Sequence, residues 1–197
     1  MKVLDNLLHQ EDFKPIQSYF LNSLPWTYLD HIVGTTGVEE ENEDCYQFVH
    51  TFFSAKDPYL ERKTSEHSHI IKPILFKLAP WLVLRVKGNL RPFTPEHVHS
   101  AFHTDLKDAG QLTAIYYLNT CNGYTMFKDG TKVESVENRV LIFDGSELHC
   151  GASCTDEKAR FVLNINYLPG TLDDGSKYIP DEKTCGLPTL LNFGKNV

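Results

Sequence analysis

The segment Ala101–Leu106, AFHTDL, carries a histidine and an aspartate two residues apart, His103 and Asp105. On an extended chain residues at i and i+2 share one face, so both side chains can reach a single ion. A ferrous ion that must also take up O2 needs protein ligands on one side and open positions opposite. Two imidazoles and one carboxylate supply that arrangement. The third ligand must come from elsewhere in the chain, and His149, in SELHCG just past the apolar run VLIFD, is the candidate. The pair alone is a weak signal. With 9 histidines and 26 acidic residues in 197 positions, composition supplies such pairs by chance, and His9 and Glu11 form a second one. That second pair sits in a polar N-terminal stretch with no strand pattern around it.

His97 and His99 crowd the same segment, and His99, Ala101, His103 and Asp105 share one strand parity. A multi-histidine site of the cupin kind is therefore an alternative: a small-molecule-binding protein holding a metal without redox chemistry. In the main reading His99 lines the pocket and His97 lies outside it. An anionic co-substrate needs a fixed cation, and arginine suits a carboxylate best because it offers two parallel charge-assisted hydrogen bonds. Arg160 opens RFVLNINY, eleven residues after His149, which leaves room for a turn and a return strand. By alternation Arg160, Val162, Asn164 and Asn166 share a face. Polar groups on an apolar core face are costly unless something polar meets them, so this face lines a polar pocket or faces solvent. Tyr116 and Tyr117 point to opposite faces, so at most one of them lines a site. Arg85 and Asn89 join His99 as pocket-lining candidates by position alone.

Those residues need a β-rich scaffold. From Trp81 onward WLVLRVKGNL, HVHSAFHTD, QLTAIYYLN, YTMFKDG, TKVESV, RVLIFDG and RFVLNINYL follow at short intervals, separated by turn residues. Many short strands at regular spacing predict a sandwich or barrel. Asp129-Gly130 predicts a hairpin with a type I′ turn. Upstream, Phe13, Ile16 and Phe20 predict a helix capped by Asp12, with Pro15 in its first turns, where proline is tolerated. Residues 44–54, DCYQFVHTFFS, predict a strand, and Ile70, Ile71, Ile74, Leu75 and Leu78 form a second helical stripe. The expected organisation is one domain over 1–197. It divides into N-terminal helices and strands (1–80), a jelly-roll core carrying the site (81–168) and a turn-rich C-terminal extension (169–197).

The formal net charge of −7 argues against a general nucleic-acid partner, which requires surplus Lys and Arg to neutralise phosphates. No apolar run approaches the roughly 20 residues of a membrane span, and the N-terminus lacks the long apolar stretch of a signal peptide. A cytoplasmic protein is expected. The five cysteines are odd in number and show no CxxC spacing. They are read as reduced structural thiols, although the spacing of Cys150 and Cys154 would suit half of a zinc site.

FHTD, then TAIYYLN, then VLIFDGSELHCG, then ARFVLNINY, taken in that order, resemble the prolyl-4-hydroxylase-like branch of the Fe(II)/2-oxoglutarate-dependent oxygenases, in particular its small bacterial and phage members. The resemblance covers roughly 81–168. It implies a double-stranded β-helix, or jelly roll, with iron at its open end on His103, Asp105 and His149. It further implies that Arg160 pairs with the distal carboxylate of 2-oxoglutarate and that the Tyr117 hydroxyl assists. The implied activity is a dioxygenase that consumes O2 and 2-oxoglutarate, releases succinate and CO2, and hydroxylates a peptide side chain or a small metabolite. Two departures stand out. One branch of the family has an aromatic residue at the position of Asn166, and the family's Gly-Gly motif is reduced to Asn122-Gly123. With a carboxylate at Asp105, halogenation is not expected.

Overall fold

The computed structural model describes residues 1–30, 46–55, 63–107, 110–183 and 185. Its elements are β1 (Lys2–Leu4), α1 (Gln10–Asn22), β2 (Thr27–Leu29), β3 (Gln47–Ser54) and β4 (Lys63–Thr64). A 3-10 turn (Glu66–Ile71) runs into α2 (Lys72–Leu78) and β5 (Pro80–Pro92). Then come β6 (Leu112–Tyr117), β7 (Cys121–Phe127), β8 (Lys132–Ser135), β9 (Arg139–Asp144), β10 (His149–Gly151) and β11 (Ala159–Pro169). Residues 44 and 45 of the expected strand 44–54, Cys45 among the cysteines, and 184 and 186–197 of the extension lie outside the described residues.

The strands form two antiparallel sheets. The large one runs β1-β9-β6-β11-β5-β3-β2 with β4 attached to β3, and the small one runs β10-β7-β8. The architecture is mainly β with two flanking helices, a jelly roll. Strand alternation divides the central strands of the large sheet cleanly. Ala114, Tyr116, Val140, Ile142, Leu163, Ile165 and Tyr167 face a core built with Phe13, Ile16 and Phe20 of α1 and Ile74 and Leu78 of α2. The opposite faces contribute Ile115, Tyr117, Leu141, Phe143 and Val162 to a second core, closed by Phe127 and Val133 of the small sheet. The helices thus cover the outer face of the large sheet and leave its inner face to the small sheet and the cavity.

Three local expectations are corrected. Helix α1 starts earlier than the apolar stripe suggests: His9, not Asp12, is the N-cap. The His9 carbonyl already accepts from the backbone of Asp12 and Phe13 at 3.0 and 2.9 Å, so the first turn closes ahead of Asp12. Pro15 therefore falls in the second turn, and the lost hydrogen bond there is tolerated because Phe13, Ile16 and Phe20 bury fully or nearly so. The Lys128–Gly130 loop is not a type I′ turn. Gly130 alone has positive φ (88°), Gly130 N–H donates to Phe127 O, and Phe127 N–H donates to Thr131 O. That is a three-residue hairpin closed by a glycine bulge. Lastly, HVHSAFHTD forms no continuous strand. It crosses between the sheets and pairs only at isolated positions, His99 with Ala152 and His103 with His149.

One asparagine ties the segment between β1 and α1 to the sheet. Asn138 turns the chain between β8 and β9 at φ 62°. Its buried amide accepts from Leu8 N–H (3.0 Å) and Tyr116 OH (2.6 Å) and donates to Leu8 O (2.9 Å). Asn138→Ala leaves three buried groups without partners, at about 1–3 kcal/mol each. Urea unfolding should show a loss of about 3 kcal/mol or more. Asn138→Gly relieves the backbone strain, so it should be less destabilised than the alanine variant by roughly 1 kcal/mol.

Candidate metal centre and its cavity

His103 and His149 are cross-strand neighbours, each donating its backbone N–H to the other's carbonyl at 2.9 and 3.0 Å. Their rings lie 4.6 Å apart, centroid to centroid. The Nδ1 atom of His103 is 3.0 Å from Ala101 O, and that of His149 is 3.0 Å from Glu147 O. A carbonyl oxygen only accepts, so in both rings Nδ1 carries a proton, and Nε2, the nitrogen that can ligate a metal, turns inward. Both Nε2 atoms face Asp105, at 4.0 Å from Oδ1 for His103 and 3.7 Å from Oδ2 for His149. The three ligand atoms lie within 4.8 Å of one another, close enough to hold one metal ion.

Asp105 accepts three side-chain hydrogen bonds, and its side chain is only 4% exposed. Arg85 Nη2 donates to Oδ1 at 3.0 Å, and Thr113 Oγ1 and Asn164 Nδ2 donate to Oδ2 at 3.1 and 2.8 Å. Asn166 completes the brace, accepting from Arg85 Nε at 2.9 Å and donating to Thr113 Oγ1 at 3.0 Å. Burial pushes the Asp105 carboxyl up, but attraction to His149 and Arg85, the Asn164 amide and His103 more than offset it and hold the pKa at about 2. Burial pulls the His149 pKa down, with Asp105 opposing. At neutral pH the carboxylate is therefore charged and the His149 imidazole neutral, the protonation states a metal requires.

Arg160, 4% exposed, enters the same cavity from the start of β11. Its Nε donates to Ser135 Oγ at 2.7 Å and its Nη2 to Thr125 Oγ1 at 3.1 Å. Nη1 has no protein hydrogen bond among the described residues and lies beside Gly151, where a Cβ would stand 3.4 Å away. The cavity holds about 240 Å³, and its walls include both histidines, Asp105, Asn164, Asn89, Arg85 and Arg160.

Three of the expected site residues fall outside the cavity wall: Asn166, fully buried in the brace behind Asp105, Tyr117 and His99. Tyr117 belongs to the inner core, and its hydroxyl donates to Thr125 Oγ1 at 3.0 Å, behind Arg160 rather than in the cavity wall. His99 pairs with the Tyr124 hydroxyl at 2.8 Å, and His97 Nδ1 donates to Ser153 O at 2.8 Å. Neither joins the three-ligand group, which leaves the multi-histidine alternative without its extra ligands among the described residues. His9 serves as the helix cap. Cys154 lies beside Cys121 and Asp156, not in a pair with Cys150. Cys121, Cys150, Cys154 and Cys185 are free thiols. Spacing did not single out Thr113, Thr125, Ser135, Lys87 or Arg91. The two hydroxyls on the small sheet carry no signal of their own. Lys87 and Arg91 share the parity of Arg85 and Asn89 along RVKGNLR, and that parity would have found them.

No family model matches this chain, and no curated protein matches its sequence. Solved structures match its shape. A prolyl hydroxylase from Trichoplax adhaerens, in complex with a hypoxia inducible factor oxygen degradation domain peptide, aligns with a TM-score of 0.53 at 12% identity, over 85% of this chain and 82% of that one. The epimerase SnoN, in complex with Fe3+, alpha ketoglutarate and nogalamycin RO, aligns with a TM-score of 0.55 at 12% identity over 91% of each chain. The non-heme alpha ketoglutarate dependent carbocyclase SnoK aligns with a TM-score of 0.53 at 14% identity, over 91% of this chain and 89% of that one. These proteins and this chain share one fold. At such identities the likeness reaches no further, and the chemistry must be argued from the residues.

Arg85 orients and charge-balances Asp105, and loss of such a supporting partner weakens metal affinity about 10–100-fold. Arg85→Leu should show that loss in calorimetric titration with Mn(II), with the melting temperature of the metal-free protein recorded alongside to exclude a folding defect.

Proposed function

We propose that this protein is a non-haem Fe(II)- and 2-oxoglutarate-dependent oxygenase of the prolyl-4-hydroxylase-like branch. Its proposed reaction is hydroxylation of a small metabolite or a peptide side chain. One observation carries the reading: two histidine Nε2 atoms and a buried carboxylate converge at one end of a cavity whose wall also carries the uncommitted Nη1 of Arg160. The donor set fits ferrous iron, because two imidazoles and one carboxylate leave coordination positions open for co-substrate and O2.

When bound, iron and 2-oxoglutarate supply the oxidising chemistry: 2-oxoglutarate loses CO2 and becomes succinate, and the substrate gains the second atom of O2. The chain's own residues supply position and charge. The carbonyls of Ala101 and Glu147 hold the two imidazoles in the metal-binding tautomer. Arg85, Thr113 and Asn164 fix the Asp105 carboxylate and keep it ionised. Ser135 and Thr125 hold the Arg160 guanidinium by two of its three nitrogens, so the third offers itself to the distal carboxylate of the co-substrate. Tyr117 supports that arginine through Thr125 and by its ring, 5.5 Å from the guanidinium carbon. SnoN and SnoK are described as an epimerase and a carbocyclase on this fold, so the outcome of the oxidation rests on how the substrate is seated.

Anaerobic titration of the Fe(II) protein with 2-oxoglutarate should develop a weak visible charge-transfer band, and admitting O2 should yield succinate. Absence of both would overturn the proposal and favour a metal-binding protein without redox chemistry. His103→Ala should abolish both signals. Arg160→Ala should weaken 2-oxoglutarate binding by about 2–5 kcal/mol, the usual cost of removing one partner of a buried charge pair. Gly123→Ala tests the same arginine by geometry. A Cβ there would stand 2.6 Å from Arg160 Cδ and 3.1 Å from Ser153 O, so the guanidinium must move. Co-substrate affinity should fall while Mn(II) affinity is kept.

A further inference from the structure

Strand β5 places a row of polar side chains along the cavity. Arg85, Lys87, Asn89 and Arg91 line it, in register with Asn166, Asn164, Val162 and Arg160 of β11, while Val86 and Gly88 turn to the opposite face. With Arg160 the cavity gathers four cationic side chains around one carboxylate, Asp105, in a chain whose net charge is −7. Three of the four have assigned work. Arg85 holds Asp105 and Asn166, Arg91 holds the carbonyls of Gly151 and Val98 at 2.6 and 2.9 Å, and Arg160 is anchored to Ser135 and Thr125.

Lys87 has none. Among the described residues it makes no hydrogen bond and no ion pair. Burial and the neighbouring Arg85 pull its pKa down to about 8 against the opposing pull of Asp105, so its charge is held at a cost. Two buried acceptors beside it are equally unfilled, Oδ1 of Asn164, directly across the strand pair, and Oδ1 of Asn89, two residues along the same face. A cationic donor without an acceptor, on a cavity wall that also carries two asparagines with unfilled Oδ1 atoms, marks a place for an anionic ligand.

We propose that Lys87 is the specificity determinant for the primary substrate, a small molecule whose oxyanion, a carboxylate or a phosphate, pairs with the Lys87 ammonium. The term substrate rests on the oxygenase reading above; the anion site itself does not. Position supports the pairing. Lys87 stands opposite Asn164, whose amide bonds the metal-ligating Asp105, and directly opposed side chains start about 5 Å apart. An anion held there brings its neighbouring carbon atoms toward the metal end of the cavity.

The test uses full-length protein loaded with Mn(II) and saturating 2-oxoglutarate, titrated by calorimetry with inorganic phosphate, with acetate, and with neutral acetamide. Phosphate or acetate should bind, acetamide should not, and the tighter of the two anions tells phosphate from carboxylate. Lys87→Gln should weaken that anion at least tenfold and leave 2-oxoglutarate affinity within about twofold, and Lys87→Arg should restore most of the loss. Lys87→Gln should also raise the melting temperature of the unliganded protein, because it removes an unpaired buried charge; a merely structural lysine would lower it. Anion binding unchanged in Lys87→Gln overturns the proposal. So does displacement of the anion by 2-oxoglutarate, or a parallel loss of 2-oxoglutarate affinity, either of which places Lys87 in the co-substrate's site. Should 2-oxoglutarate fail to bind while phosphate or acetate binding still depends on Lys87, the oxygenase reading falls and the anion site stands.

Discussion

A buried carboxylate must be charged to bind a metal, and burial opposes that charge. The arrangement around Asp105 resolves the conflict. Its two oxygens accept from Arg85, Thr113 and Asn164, and Asn166 locks Arg85 to Thr113 behind them. Those four residues come from β5, β6 and β11, the three strands at the centre of the large sheet. The ion site and the register of that sheet are therefore one constraint. A slip of one residue in β11 would turn Asn164 and Asn166 into the helix-packed core and Leu163 and Ile165 into the cavity.

The same alternation lets one strand serve two environments. On β11 the odd-numbered residues Leu163, Ile165 and Tyr167 pack against α1 and α2, and the even-numbered Arg160, Asn164 and Asn166 carry the polar work. The helices remove the outer face of the sheet from water. The small sheet covers only part of the inner face, and the part it leaves becomes the cavity. The polar residues of β11 find partners there: Asn164 and Asn166 through Asp105, Thr113 and Arg85, and Arg160 through Ser135 and Thr125.

Much of the scaffold was legible as period. The apolar spacing of Phe13, Ile16 and Phe20 marked α1, the alternation in RFVLNINY marked both faces of β11, and Gly130 marked the hairpin. The errors lie where a local pattern competes with tertiary hydrogen bonding. Asp12 has the chemistry of a helix cap, yet the His9 carbonyl closes the turn before it. HVHSAFHTD has strand parity, yet it bridges its neighbour only at His99 and His103. His103 and Asp105 nevertheless reach one point, because the bridge between His103 and His149 fixes that histidine and the brace of donors fixes the carboxylate.

The amino-acid sequence by itself determined which residues share a face and which groups can bear the chemistry, since both follow from side-chain type and from the two- and 3.6-residue periods of the backbone. It could not determine which polar groups would be satisfied. Lys87 and Arg85 are alike in parity and charge, and only the register that sets Asn166 against Arg85 and Asn164 against Lys87 commits one cation to Asp105 and leaves the other facing the cavity. Thr125 and Ser135 become the anchors of Arg160 only because a second sheet folds over the first. Partnership of that kind joins residues 8 to 81 positions apart. No local period encodes such distances, and only the packed sheets decide them.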